Sequence, residues 1–274
     1  MIYGIQRAEQ FSPQSVEKDR AILEDVVGRL HGIIIPEQQL CEKDLSGAGN
    51  VFLNMGRLPA TTAFLKQRED EGALVLNSGY GVEMCQRSRL DALMREKHIP
   101  MPKNEDSTMS RNAAISARNA DGWWIKRGDA AAQRKEDVQF CQDDEALAKA
   151  KASFAERGIT DIVVQSHVCG DLLKFYGVEG TSFFRYYYPG DDGESKFGDE
   201  QVNGRPHHYF FQKEHLRSTV EMLSRLVRTP IYGGDAIITP EGEFKIIDFN
   251  DWPSFSRCRE EAAQAITQLV RYNM

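Results

Sequence analysis

Over the first hundred residues, short apolar runs alternate with amphipathic stretches, and this alternation constrains the chain more than any other feature. IYGIQ (2–6), GIIIP (32–36), VFLNM (51–55) and ALVLNS (73–78) have strand length and strand composition. SPQSVEKDRAILEDVVGRL and TTAFLKQREDEG (61–72) lie between them, and VEMCQRSRLDALMREK (82–97) follows. Each of the three reads as a helix. In the first, Ser12 is expected as N-cap and Pro13 as the first helical residue, where a missing N–H costs nothing. Ile22, Val26, Val27 and Leu30 give that helix one apolar face. Strands alternating with helices predict a parallel-type α/β layer, since parallel neighbours need a crossover.

HIPMPKNEDSTMS (98–110) holds two prolines and few apolar residues, and reads as a linker. Beyond it the pattern becomes α+β. GWWIKRGD (122–129) and DIVVQSHV (161–168) contain strands, with a helix at 144–158 between them. LLKFYGV and TSFFRYYY continue the β-rich region. A helix at 215–227, a hairpin and a last helix at 258–272 complete the chain. PGDDGESKFGDEQVNGRP (189–206) is polar and glycine-rich, and reads as a mobile surface loop. The expected units are residues 1–100, 101–186 and 187–274.

Charge and cysteine usage narrow the partners. A net charge of −7 lacks the basic footprint of a general nucleic-acid binder, while leaving room for a local basic pocket. The five cysteines are odd in number and form no CxxC, which fits reduced thiols better than a disulfide scaffold or a zinc site. The opening residues lack a signal-peptide pattern, and no apolar run nears the ~20 residues of a membrane helix. The expectation is a cytoplasmic protein with no nucleic-acid or membrane partner.

GGDAIITPEGEFKIIDFNDWPSF (233–255) carries the chemistry. A buried-looking strand runs straight into Asp248, Asn250 and Asp251, and burying unpaired carboxylates is costly. Pro240, Glu241 and Gly242 are turn residues. A tight turn centred on Glu241-Gly242, or a four-residue loop from Pro240 to Glu243, sets Asp235 directly opposite Asp248. Asn250 shares that face by period two. A one-residue slip would separate the aspartates onto opposite faces. Like charges facing each other are destabilising, and two carboxylates with an amide oxygen suit a hard divalent cation. Mg²⁺ takes one or two carboxylates and completes its shell with water and phosphates. The competing reading is that these acids merely end strands at solvent.

Two further signals are weaker. Lys126 ends a strand on the face of Trp124 and can meet phosphate as a point charge, or simply snorkel at a sheet edge. The strand ending Gln165-Ser166-His167-Val168 is followed by Gly170, Asp171 and Lys174. Backbone groups there can read an adenine edge, and Asp171 can accept from ribose hydroxyls.

The order of these features resembles the ATP-grasp superfamily over nearly the whole chain. LNSGYGVEMCQRSRLDALMREKHIPMP is similar to the helix and linker closing its N-terminal domain. WWIKRGD is similar to its phosphate-lysine strand, IVVQSHVCGDLLKFYGV to its adenine and ribose hinge, and IYGGDAIITPEGEFKIIDFNDWP to its metal-binding hairpin. The flavour is that of the ribosomal-protein glutamate ligases and the inositol polyphosphate kinases. The resemblance implies an N-terminal α/β domain and two β-rich lobes clamping ATP. It implies nucleotide contacts from Arg87, Lys126, Gln165, Val168 and Asp171, and catalytic roles for Lys174 and Arg185. Asp235, Asp248 and Asn250 would hold Mg²⁺, or Mn²⁺ in its place. The expected partners are ATP and a small-molecule or peptide acceptor. The expected reaction is carboxylate activation as an acyl phosphate for attack by an amine. A kinase acting on a hydroxyl and a non-catalytic nucleotide-binding module are the alternatives.

Departures from the family pattern stand out. KRGDAAAQRKEDVQFC has one glycine where relatives cover the phosphates with several, so Arg127 or Arg134 is a candidate cover. Asn250-Asp251-Trp252-Pro253-Ser254-Phe255 lacks the usual glycine near the acceptor. Trp252 and Phe255 read as core, His207 and His208 as a surface or strand-edge pair. Arg7, Arg57 and Thr61 follow predicted strands, where α/β folds bind ligands.

Overall fold

The computed structural model describes residues 1–47, 49–105, 121–129, 134–191 and 202–274. The expected cover of the phosphates lies partly outside these residues, as do most of the 189–206 loop and part of the linker.

The first sheet is parallel, in the order β2-β1-β3-β4: β1 (Ile2–Gln6), β2 (Ile33–Pro36), β3 (Val51–Asn54) and β4 (Leu74–Leu76). The crossovers are α1 (Val16–Arg29) and α2 (Pro59–Asp70). The helix pattern predicted α1 but not its start. Its N-cap is Ser15, because the Ser15 N–H turns back to the Ser12 carbonyl at 2.8 Å and leaves Ser12 outside the helix.

The stretch 82–97 forms two helices, α3 (Gly79–Met84) and α4 (Arg87–Glu96). The break has a physical cause. The Ser88 N–H donates to the Gly128 carbonyl at 3.1 Å, so the helical ladder does not continue through it. Gly81 lets α3 press on the end of a later helix: a Cβ there would lie 2.3 Å from the Val227 carbonyl oxygen.

A second, antiparallel sheet has the order β6-β5-β7: β5 (Trp123–Arg127), β6 (Val138–Cys141) and β7 (Ile162–Ser166). α5 (Asp144–Glu156) covers it through Leu147, Ala150 and Phe154. Asp143 caps α5 by accepting from the Ala146 N–H at 2.8 Å.

The third sheet, also antiparallel, has the order β11-β10-β8-β9: β8 (Asp171–Val178), β9 (Phe184–Tyr187), β10 (Ile231–Ile238) and β11 (Phe244–Asp251). α6 (Lys213–Val227) and α4 pack on one face through Leu90, Leu216, Val220 and Leu223. On the other side, Tyr176, Val178, Ile231, Trp252 and Phe255 share a core with α1 and α7 (Arg259–Asn273). The sheets therefore divide the chain between Ser166 and Asp171. The expected division at 186/187 falls inside β9 and would part β8 from β10, with which it pairs along its whole length.

Polar ties join the parallel sheet to the third one. The Asn77 amide both donates to the Ile231 carbonyl (2.7 Å) and accepts from its N–H (3.0 Å), wholly buried. All five cysteines are unpaired, and no helix among the described residues is long and apolar enough to cross a membrane.

Candidate active site

A cleft of about 570 Å³ runs between the second and third sheets and on to the ends of β1 and β3. Its wall includes Asp235, Asp248 and Asn250 from the hairpin, Lys174 from β8, Lys126 from β5, Arg87 from α4, and Gln165 and Val168 from the end of β7. Eight of the ten predicted site residues thus converge on one cavity.

Asp235 and Asp248 face each other as expected, but the route differs. The Thr239 N–H donates to the Glu243 carbonyl (2.8 Å), and Ile238 faces Phe244, one residue off the predicted register. A β-bulge then shifts β11 by one residue between Ala236 and Asp235, and leaves Ile247 out of the ladder. The bulge frees the Ile247 carbonyl, which accepts from Lys126 Nζ at 2.8 Å. One irregularity therefore both faces the carboxylates and seats the lysine. The backbones are close here: a Cβ on Gly234 would lie 2.3 Å from the Asp248 carbonyl oxygen.

Charges are arranged around this pair. Lys174 Nζ lies 2.9 Å from Asp235 Oδ1, Arg87 Nη2 lies 3.9 Å from Asp248 Oδ1, and Asn250 Nδ2 donates to Asp248 Oδ2 at 3.0 Å. Burial works to raise the Asp248 pKa. Arg87 and Lys126 lead the groups that outweigh it, so the carboxyl sits below the usual aspartate value and stays ionised. Among the described residues no three His, Cys, Asp or Glu side chains cluster as metal ligands. Two facing carboxylates and an amide oxygen nevertheless fit a cation that draws its remaining ligands from phosphate and water.

Lys126 is buried, and its pKa is pushed down to about 8 by that burial and by Arg87, against the opposing pull of Asp248, Asp235 and Asp91. It spends one N–H on Ile247 and one on Gln165 Oε1 (3.1 Å), leaving its third for the cleft. Gln165 in turn donates to Asp91 Oδ1 at 2.9 Å. Its side chain thus braces the lysine and is not available to read a base. Asp91, which carried no signal in the sequence, anchors this brace with Asn104 at 2.6 Å and Arg95 at 3.0 Å. If Lys126 must be cationic to hold phosphate, kcat/KM for ATP falls above pH ~8, about tenfold per unit, because the free enzyme loses that proton. A Lys126→Met variant should be low and flat over the same range; an unchanged alkaline limb there would assign the titration elsewhere.

At the other wall, Trp124 Nε1 donates to His167 Nδ1 at 3.0 Å, and Phe140 lies edge-on to His167. Val168 follows in the cleft with a backbone N–H that has no partner among the described residues.

Two predicted residues lie elsewhere. Asp171 is buried off the cleft, accepting from the His207 N–H (2.7 Å) and the Tyr209 N–H (2.9 Å). A carboxylate with both oxygens taken by backbone anchors a loop and does not read a ribose. Asp171→Ala should lower stability by roughly 1–3 kcal/mol through orphaned N–H groups, with ATP affinity little changed; urea unfolding beside nucleotide titration checks this. Arg185 reaches outward to Glu261 at 2.5 Å and lies over the Phe183 ring. It shares a strand face with Tyr187, which lines the cleft, but its guanidinium is drawn to Glu261 on α7 and does not reach the cleft wall.

Arg7 and Arg57 do line the cleft, whereas Thr61 is fully buried beneath the Glu37 carbonyl. Both arginines meet at Asp251, which is 2% exposed. Arg57 Nη2 lies 2.5 Å from Asp251 Oδ1, and Arg7 Nη2 lies 3.3 Å from Oδ2. Burial alone would raise the Asp251 pKa, but Arg57 and Arg7 hold it below the usual range. Trp252 and Phe255 are fully buried core residues with φ of 32° and 49°, so the chain bends sharply where it leaves β11. His208 pairs with Asp191 at 3.1 Å at the surface. Arg127 is drawn to Asp129 at 2.5 Å, so its guanidinium is occupied.

No protein-family model matches the sequence, and no curated protein does. Solved structures show the fold. A D-alanine–D-alanine ligase from Bacillus anthracis superposes with a TM-score of 0.62 at 10% identity, covering 99% of this chain and 98% of that one. The ATP-grasp ligase PsnB complexed with a minimal precursor gives 0.62 at 13% identity over 99% and 98%. The D-alanine–D-alanine ligase from Coxiella burnetii gives 0.64 at 10% identity over 99% and 94%. The chain has the fold of these ligases from end to end.

Proposed function

We propose that the protein is an ATP- and Mg²⁺-dependent ligase that activates a carboxylate as an acyl phosphate, which an amine then attacks. The observation that carries this reading is the facing pair Asp235 and Asp248 on one cleft wall with Lys126, Arg87 and Lys174. The fold adds to it. One B. anthracis ligase structure is complexed with ATP, and one PsnB structure with minimal precursor, Mg and ADP. Those relatives favour a ligase over the kinase alternative. They also suit either a small-molecule or a peptide acceptor.

Asp235, Asp248 and Asn250 would hold Mg²⁺, or Mn²⁺ in its place, where it offsets phosphate charge. Lys126 and Arg87 would steady the phosphates, and the Val168 backbone would meet the base between the second and third sheets. Lys174 is the catalytic candidate. Its ammonium, next to Asp235, can follow the γ-phosphoryl group as the substrate carboxylate displaces ADP. The amine nitrogen then forms the amide bond and inorganic phosphate leaves. The unpaired thiols favour a cytoplasmic setting.

Incubation with ATP, Mg²⁺ and a metabolite pool tests the reading through its products. An amide with ADP and free phosphate is expected. A phosphorylated alcohol without free phosphate would establish the kinase instead, and saturable ATP binding without turnover would leave a binding module.

A further inference from the structure

We infer that the end of the cleft formed by Lys18 and Arg57 binds a second anionic group of the acceptor. The substrate is then a dianion, with one carboxylate to be activated and a carboxylate or phosphate to be gripped. Calling this ligand the acceptor rests on the ligase reading above.

The donors not already committed to the protein single out this end of the cleft. Arg7 spends its guanidinium entirely on protein: Nε on the Met55 carbonyl, Nη1 on Ser12 Oγ and Asp19, and Nη2 on Asp251 and the Trp252 carbonyl. Arg57 commits only Nε and Nη2, both to Asp251. Its Nη1 has no partner among the described residues, and the side chain, 14% exposed, lines the cleft. Lys18 lines the same cleft, and no described residue pairs with its ammonium.

At this end Asp19 is taken by Arg7, Asp251 by both arginines, and the buried Glu37 carboxylate by the backbone N–H groups of Ala8, Arg57 and Leu58. The cationic donors left over are the Lys18 ammonium and the outer edge of Arg57. A guanidinium edge fixed by a carboxylate behind it is preorganised for an anion in front. Both groups stand at the end of the cleft built from the parallel sheet and α1, away from the Trp124 and His167 wall. An anion there would not compete with nucleotide phosphates, whose cations are Lys126, Arg87 and Lys174.

Calorimetric titration of the full chain saturated with a non-hydrolysable ATP analogue and Mg²⁺ tests this. The probes are glutarate, its monomethyl ester and 3-phosphonopropionate. Tighter binding of a dianion than of the ester is expected, by about tenfold, the worth of one charge-assisted contact. Glutarate against the phosphonate tells which second anion the site prefers. Lys18→Glu should erase the preference and leave affinity for the ATP analogue unchanged. Equal binding of ester and diacid, no binding of any probe, or a Lys18→Glu loss shared by ester and nucleotide would each overturn the inference.

The same probes with ATP and hydroxylamine, which converts an acyl phosphate to a hydroxamate, separate the two ideas. Dianion selectivity without any hydroxamate keeps the anion site and refutes the ligase. Hydroxamate from ester and diacid alike keeps the ligase and refutes the anion site.

Discussion

Asp248→Asn should lower kcat by about 10²–10³ or more, the scale of losing one preorganised charge at a transition state, and leave the fold intact. The side chain keeps its shape and its place opposite Asp235, but loses the charge that Arg87, Lys126 and the proposed cation share. In the unliganded protein the change relieves the repulsion from Asp235 but takes a counter-charge from Arg87 and Lys126, so a small loss of thermal stability is expected. Loss of turnover far beyond that small stability cost is the signature of a ligand site. A strand-end aspartate at solvent would leave both unchanged. Steady-state kinetics beside a melting curve distinguishes the outcomes, and full activity would sink the metal assignment.

Asp251→Ala should have the largest effect on stability, about 3–5 kcal/mol, the usual cost of breaking a buried ion pair from one side. The aspartate joins loops from the ends of β1 and β3 to the end of β11 through Arg7 and Arg57. Without it Arg57 loses its side-chain hydrogen-bond partner, and Arg7 keeps Asp19 as its one carboxylate. A urea midpoint that barely moved would mean the cluster is hydrated and behaves as a surface pair. Because Asp251 titrates below the ordinary aspartate value of ~3.9, its contribution is complete at neutral pH and is lost only as pH falls below ~4 and through its folded pKa.

Much of this was legible in the residues, for identifiable reasons. The parallel sheet follows from strands separated by helix-length stretches. The facing aspartates follow from period two and from turn residues at Pro240-Glu241-Gly242. That success conceals two errors that cancel, since the register at the turn is one residue off and the bulge at Ile247 restores it. A bulge is selected by what the freed carbonyl meets, here a lysine far back in the chain, and no local pattern contains that. Asp171 and Arg185 show the same limit. A carboxylate after a strand is compatible with reading a ribose, yet its partners are backbone groups at His207 and Tyr209. Gln165 was found for its position but not for its task, because Asp91 and Lys126 meet it only in the folded chain. Asp251 marked the departure from the family pattern in the sequence. Arg7 and Arg57 drew notice separately, and only the fold joins the three.

In the proposed reaction a carboxylate oxygen attacks the terminal phosphorus of ATP beside the Asp235–Asp248 pair. Oxygen-18 tracing tests it most directly. Protein, ATP and Mg²⁺ are incubated with hydroxylamine and carboxylates labelled in both oxygens, glutarate among them, and the phosphate released is analysed by mass. The account predicts one labelled oxygen in each inorganic phosphate formed with hydroxamate, because the carboxylate oxygen that forms the new bond to phosphorus leaves with it. Hydroxamate formed beside unlabelled phosphate would contradict it, as would nucleotide cleavage to AMP.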